Sequence, residues 1–192
     1  SVLIKKLSNI LRYTFDQKCQ DVYLYQEIAW IDQYLYLQKT RFENVFDYSI
    51  DFEEEYGYWP CCKLMFQPFV ENSILHGFEG RHEGGMVKIT VSEEKGRLRI
   101  EIKDNGSGID SETEKVIKNI LESKGMAPVL QRQKVGIGIL NVVTRMRMYY
   151  GENLDIQMQT NLDSGTSFIF WIPIPESELK KQSEICQEEE LV

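Results

Sequence analysis

Two runs, Met86–Ser92 and Arg97–Lys103, alternate apolar with polar residues on either side of Glu93-Glu94-Lys95-Gly96. A period of two sends every second side chain to the same face, so the pair reads as a hairpin with one face to bury. The cover for that face comes from helical stretches. Phe66, Phe69, Val70, Ser73, Ile74 and Gly77 recur at three- and four-residue steps, which places them on one buried side of a helix. Pro68 suits the first turn of that helix, and Gln67, Glu71 and Asn72 share a separate flank. Ile137–Tyr150 and, more briefly, Glu112–Ser123 also read as helices, while Asp47–Glu53, Leu154–Thr160 and Thr166–Ile174 read as strands. Glu54–Pro60 and Gly80–Gly85 read as connections. This order predicts an α+β fold: a two-layer sandwich of one mixed β-sheet covered by helices.

Two amphipathic helices precede it. Val2–Phe15 carries Leu3, Leu7, Ile10, Leu11 and Thr14 at helical spacing; Tyr23–Asn44 carries Leu24, Ile28, Ile31, Leu35 and Gln38. A polar break, Asp16–Asp21, separates them. Such helices cannot bury their stripes alone and need each other, a partner chain or the following domain; packing on the domain's own core competes evenly with a dimeric bundle. The divisions expected are 1–45, helical; 46–175, the sandwich; and 176–192, an acidic tail that reads as disordered. The chain carries a net charge of -8, half of it in that tail, which argues against a general nucleic-acid surface. Cys19, Cys61, Cys62 and Cys186 form no metal pattern, and adjacent Cys61 and Cys62 make a poor disulfide, so a reduced, cytoplasmic setting is the default. No apolar run approaches the ~20 residues that span a bilayer. The chain begins inside an amphipathic stretch, which suggests a piece of something longer with room for an upstream membrane anchor.

By itself, the Gln67–Glu71–Asn72 flank is an ordinary solvated helix face. Two later stretches change that reading. Lys103-Asp104-Asn105-Gly106-Ser107-Gly108-Ile109 sets an Asp-x-Gly-x-Gly just after an alternating strand. Val135-Gly136-Ile137-Gly138-Ile139-Leu140-Asn141 sets a Gly-x-Gly-x-x-Asn at a helix start. The three stretches, in this order, resemble the ATP-binding (Bergerat) domain of histidine kinases, in the wider gyrase, chaperone, kinase and mismatch-repair ATPase superfamily. More closely, Gln67, Glu71, Asn72, His76 and Gly77, with Gly136, Asn141, Arg145, Met146 and Tyr150-Gly151, resemble the asparagine and glycine boxes of LytS/YesM-type sensor kinases. The resemblance runs from about Leu3 to Pro175.

The resemblance implies ATP and Mg²⁺ as ligands. It makes Asn72 the magnesium ligand, in keeping with the metal's preference for a few oxygen donors and retained waters. It makes Asp104 the acceptor for the adenine amino group, beside Gly106, Gly108 and Ile109, with Thr166 lining the same end. Gly106 and Gly108 would let the backbone approach a ring closely. Gly136, Ile137 and Gly138 precede or open a helix whose free N–H groups favour phosphate. Asn141 would support that turn, and Arg132 and Lys134 lie in the lid, where polyphosphate contact and plain solvation compete evenly. In hydrolytic relatives the residue four before the metal-binding Asn is a Glu that activates water. Here that place is Pro68, and neither it nor Gln67 can act as a base. Glu71 is left as base or as a contact to metal-bound water. His76 is expected to line the nucleotide site or pack, and His82 to be solvated. Leu75 stands where the family commonly has Lys, which puts one phosphate or metal contact in doubt.

The expectation is therefore a protein-histidine kinase unit that transfers the ATP γ-phosphoryl to a His on an upstream helix, for relay to a response regulator. The full-length protein is expected to be a membrane-anchored homodimer with no nucleic-acid partner. The rivals are a GHKL-type ATPase or Ser kinase, and a docking or dimerisation module with a vestigial pocket.

Overall fold

The computed structural model describes residues 2–15, 21–43, 45–122 and 137–174. The acidic tail and residues 123–136, where the lid with Arg132 and Lys134 was expected, lie outside them. The hairpin forms from β4 (Gly85–Glu94) and β5 (Arg97–Asp104). Lys95 (φ 54°) and Gly96 (φ 72°) are its turn, both left-handed as a tight two-residue hairpin requires. β2 (Phe46–Asp51), β6 (Asp155–Asn161) and β7 (Gly165–Pro173) complete a five-stranded sheet in the order β2-β4-β5-β7-β6. β2 runs parallel to β4 and every other pairing is antiparallel, so the sheet is mixed, as expected.

Parity decides what the sheet buries. Val87, Ile89 and Val91 of β4 lie beside Leu98, Ile100 and Ile102 of β5, and these beside Phe168, Phe170 and Ile172 of β7, all nearly inaccessible. The next inward position of β5 is Asp104, so the same alternation that builds the core carries one carboxylate into its edge. Over this face pack α3 (Gln67–Asn72), α4 (Ser111–Glu122) and α5 (Ile137–Tyr150). Phe69 of α3 meets the Phe168 and Phe170 rings, each at 4.8 Å between centroids. The opposite face is polar, with Arg99 paired to Glu101 and Glu94.

The preceding helices are α1 (Val2–Phe15) and α2 (Leu24–Arg41). α2 buries Leu24, Trp30, Ile31 and Leu35. α1 buries Ile10 alone and leaves Val2, Ile4, Leu7 and Phe15 exposed. Between these helices the polar break ends in a short strand, β1 (Asp21–Tyr23), antiparallel to β3 (Pro60–Cys62). Neither strand is visible in the sequence pattern, because three residues carry no period. Their pairing crosses the expected boundary at residue 45.

The helix expected from Gln67 to near Gly77 forms, but not with a single winding. α3 ends at Asn72, and Ser73–Gly77 is a π turn, in which Phe78 N–H reaches back five residues to Ser73 O at 3.0 Å. The widened turn delivers Phe78 onto Phe46, stacked at 5.7 Å.

Candidate functional site

Asp104 is the most completely built group in this region. It is 5% exposed. Its Oδ1 accepts the backbone N–H of Gly106 at 2.8 Å and of Thr166 at 3.1 Å. Its Oδ2 accepts the Ser73 hydroxyl at 2.6 Å. One lone pair of Oδ2 is left, and a ligand N–H donor suits it.

The glycines around it serve close crossings. A Cβ on Gly106 would sit 2.6 Å from Gly77 Cα and O, and Ser107 N–H donates to that same carbonyl at 2.9 Å. Gly165 (φ 90°) passes so near that a Cβ would fall 2.0 Å from Asp104 O, and on Gly108 it would fall 2.3 Å from Asn161 O. The close approach described here is thus to the protein's own backbone, where the sequence pointed to a ligand ring. It fixes the π turn, the end of β5 and the β6–β7 turn as one cradle. Ile109 belongs to it through its N–H, donated to Thr160 Oγ1 at 2.9 Å, and Thr160 lies 3.1 Å from Thr166 Oγ1.

Asn72 precedes Ser73, so the two principal candidates are one residue and one hydrogen bond apart. Its amide nitrogen donates to Pro68 O at 2.6 Å. That contact fixes the amide plane and turns Oδ1 outward, and among the described residues no donor meets this oxygen. Pro68 also borders the start of α5: a Cβ on Gly138 would lie 3.5 Å from Pro68 Cβ. The N-terminal end of α5 therefore adjoins the Asn72 amide. Glu71 Oε1 accepts Gln67 Nε2 at 2.7 Å and the Tyr34 hydroxyl of α2 at 3.0 Å. Burial, and then the Glu71 carboxylate, hold the Tyr34 phenol well above its usual range.

Of the remaining sequence candidates, His76 is exposed on the π turn and Asn141 is exposed on α5. Ile137 opens α5. Gly136, Arg132 and Lys134 lie outside the described residues. His82 and Leu75 are exposed, the latter by 51%. Sequence reasoning missed Ser73, Thr160, Tyr34 and Glu27. For Ser73 a signal existed: a hydroxyl in a buried helical row must find an acceptor. For the others the partners come from distant elements.

Set beside known proteins, residues 62–176 match the family of histidine kinase-, DNA gyrase B- and HSP90-like ATPases, and residues 1–46 match a histidine kinase family. The chain is 35% identical over 174 residues to the sensor histidine kinase YpdA of Escherichia coli, covering 89% of this chain and 28% of that protein. It is 27% identical over 173 residues to the sensor histidine kinase YesM of Bacillus subtilis, covering 90% of this chain and 27% of that one. The chain thus spans little more than a quarter of either. The histidine kinase domain of a blue-light activated kinase from Erythrobacter litoralis has the same fold, with a TM-score of 0.54 at 14% identity over 90% of this chain and 73% of that one.

Proposed function

Because the chain belongs to the family of histidine kinase-, DNA gyrase B- and HSP90-like ATPases, we propose that it is the ATP-binding catalytic part of a two-component sensor histidine kinase. The γ-phosphoryl moves from ATP to a His nitrogen on an upstream phosphoacceptor helix outside the 192 residues. An N–P bond forms there as the bond to the β–γ bridging oxygen breaks, and ADP leaves. A response-regulator Asp receives the phosphoryl next. The working protein is a homodimer held at a membrane by other segments, with this unit on the cytoplasmic side. No helix among the described residues is long and apolar enough to cross a membrane.

Asp104 carries the reading. A buried carboxylate held by three protein donors, with one acceptor position left, suits the exocyclic amine of adenine. Thr166, Gly106, Gly108 and Ile109 shape that end of the site, and His76 borders it. At the other end, Asn72 Oδ1 is an oriented oxygen with no protein partner among the described residues, which fits magnesium. When bound, the ion neutralises polyphosphate charge. The α5 N-terminus at Ile137 and Gly138, with Gly136 before it and Asn141 behind, receives phosphate oxygens. Arg132 and Lys134 extend that contact. Glu71 keeps Oε2 for a water of the metal site, its Oε1 being filled. Pro68, where hydrolytic relatives carry a base, keeps water attack slow.

Calorimetry with ADP and magnesium tests this. The chain binds, and Asp104→Asn lowers affinity about tenfold or more, because the new amide N–H₂ meets the adenine amine donor to donor. Absence of heat with the unaltered chain would favour the docking module, for which exposed Leu75 is the supporting observation. Incubated with labelled ATP, the 192-residue chain retains no stable label, since its two histidines, His76 and His82, lack the acceptor-helix context. Rapid phosphate release that depends on Glu71 would favour the ATPase instead.

A further inference from the structure

α2 reaches the segment Leu64–Asn72 at two points, and both contacts are polar. Glu27, two turns before Tyr34 on the same face of α2, has no exposed surface. Its Oε1 accepts Leu64 N–H at 2.7 Å and its Oε2 accepts Met65 N–H at 3.1 Å. The Tyr13 hydroxyl of α1 bonds the same carboxylate. Leu64 is left-handed (φ 56°), a conformation a leucine rarely adopts unless its surroundings impose it. Glu27 imposes it from the N–H side, and Arg145 of α5 from the other, through a hydrogen bond to Leu64 O at 3.0 Å. This sharp reversal aims the chain into α3. At the far end of α3 Tyr34, stacked on Trp30 at 5.3 Å, donates to Glu71 Oε1. Gln67 binds that oxygen from within α3. The α-wound part of the helix that carries Asn72 is six residues long before it widens into the π turn, and a neighbouring helix fixes it at entry and exit.

We propose that Tyr34 and Glu27 are positioning residues for the metal site: α2 braces α3 so that Asn72 Oδ1 and the free oxygen of Glu71 face the nucleotide phosphates together. Neither residue touches nucleotide. Two of the three donors to Asp104, Gly106 and Thr166, come from other elements and only Ser73 follows α3, so the brace acts mainly on the magnesium-dependent part of nucleotide binding. A shift of α1, whose Tyr13 shares the Glu27 carboxylate, reaches the same point. The inference rests on the assignment of Asn72 as the metal ligand.

The test is ADP affinity of the whole chain, measured by calorimetry with magnesium and again with chelator. The quantity read is the gain in affinity that magnesium confers. In Tyr34→Phe the gain falls about three- to tenfold, the span of one lost hydrogen bond, while metal-free ADP affinity stays within about twofold. An unchanged gain overturns the proposal, and so does an equal loss with and without magnesium, which is the mark of general loosening. Glu27→Gln keeps the side-chain shape but swaps one acceptor oxygen for a donor; its gain falls as well, and a full gain there overturns the share given to Glu27. Asn72→Ala separates the two questions. If it leaves the magnesium gain intact, or if the unaltered chain shows none, the assignment of Asn72 fails. If it abolishes the gain while Tyr34→Phe does not touch it, the assignment stands and the brace fails.

Discussion

Gly165 shows how little room the adenine end allows. Its φ of 90° and the 2.0 Å that would separate a Cβ from Asp104 O mean that Gly165→Ala must move either β7 or the end of β5. The backbone strain alone is of order 1–3 kcal/mol, and the collision adds to it. The variant is expected to lose nucleotide affinity and to unfold several degrees earlier, measured by calorimetry and thermal melting. An unaltered Tm with full ADP binding would mean that the crossing is looser than it stands here. Ser73 makes the complementary point: its hydroxyl fills one position on Asp104, so residue 73 shapes the acid as much as the strand does.

Among the elements, β5 was legible from its alternation, although it was read to Lys103 and its inward row continues from Ile102 to Asp104. α5 was read to its true ends, Ile137 and Tyr150. The helix of Asn72 was read to its end near Gly77, but its change of winding after Asn72 was not. Local periodicity tracks which side chains are buried and is blind to a one-residue expansion of the turn, which the Phe78–Phe46 stack holds in place. Helix and sheet meet at Phe69, which has no exposed surface and contacts two rings of β7. Phe69→Ala is expected to cost about 3–5 kcal/mol, read as a lowered urea midpoint. A cost under about 1 kcal/mol would place the core contact elsewhere. α1 is the opposite case, with its apolar stripe turned outward and its inner side joined to α2 by Lys6–Asp32, Asn9–Gln33 and Tyr13–Glu27.

At the scale of the molecule, the helical segment and the sandwich meet around buried Glu27. Glu27, Tyr13, Cys61, Cys62 and Arg145 face one another where α1, α2, β3 and α5 meet. Burial raises the Glu27 pKa, outweighing the Tyr13, Leu64 and Met65 donors and the Arg145 charge. An acid whose pKa is raised on folding binds its proton more tightly in the native state. Its contribution to stability is therefore greatest below the unfolded value of 4.5 and is lost as pH rises through the folded value. Asp47, Glu101 and Asp110 are shifted downward and act in the opposite sense. The comparison that isolates Glu27 is urea stability of the unaltered chain minus that of Glu27→Gln, which should decline with rising pH. A flat difference would show that folding leaves the Glu27 pKa unchanged.

The sequence by itself determined the alternation that makes the sheet, the order of its elements and the three stretches that mark a nucleotide-binding family. These are local matters of periodicity and spacing, written in neighbouring residues. Only the tertiary structure decided that β1 pairs with β3, that the helix of Asn72 ends in a π turn, and that Tyr34 and Glu27 hold that helix from outside. Each of those depends on partners 32 to 41 positions away in sequence. Hydrogen bonds and ring contacts are satisfied by whatever the fold brings near, and no period along the chain records which group that will be.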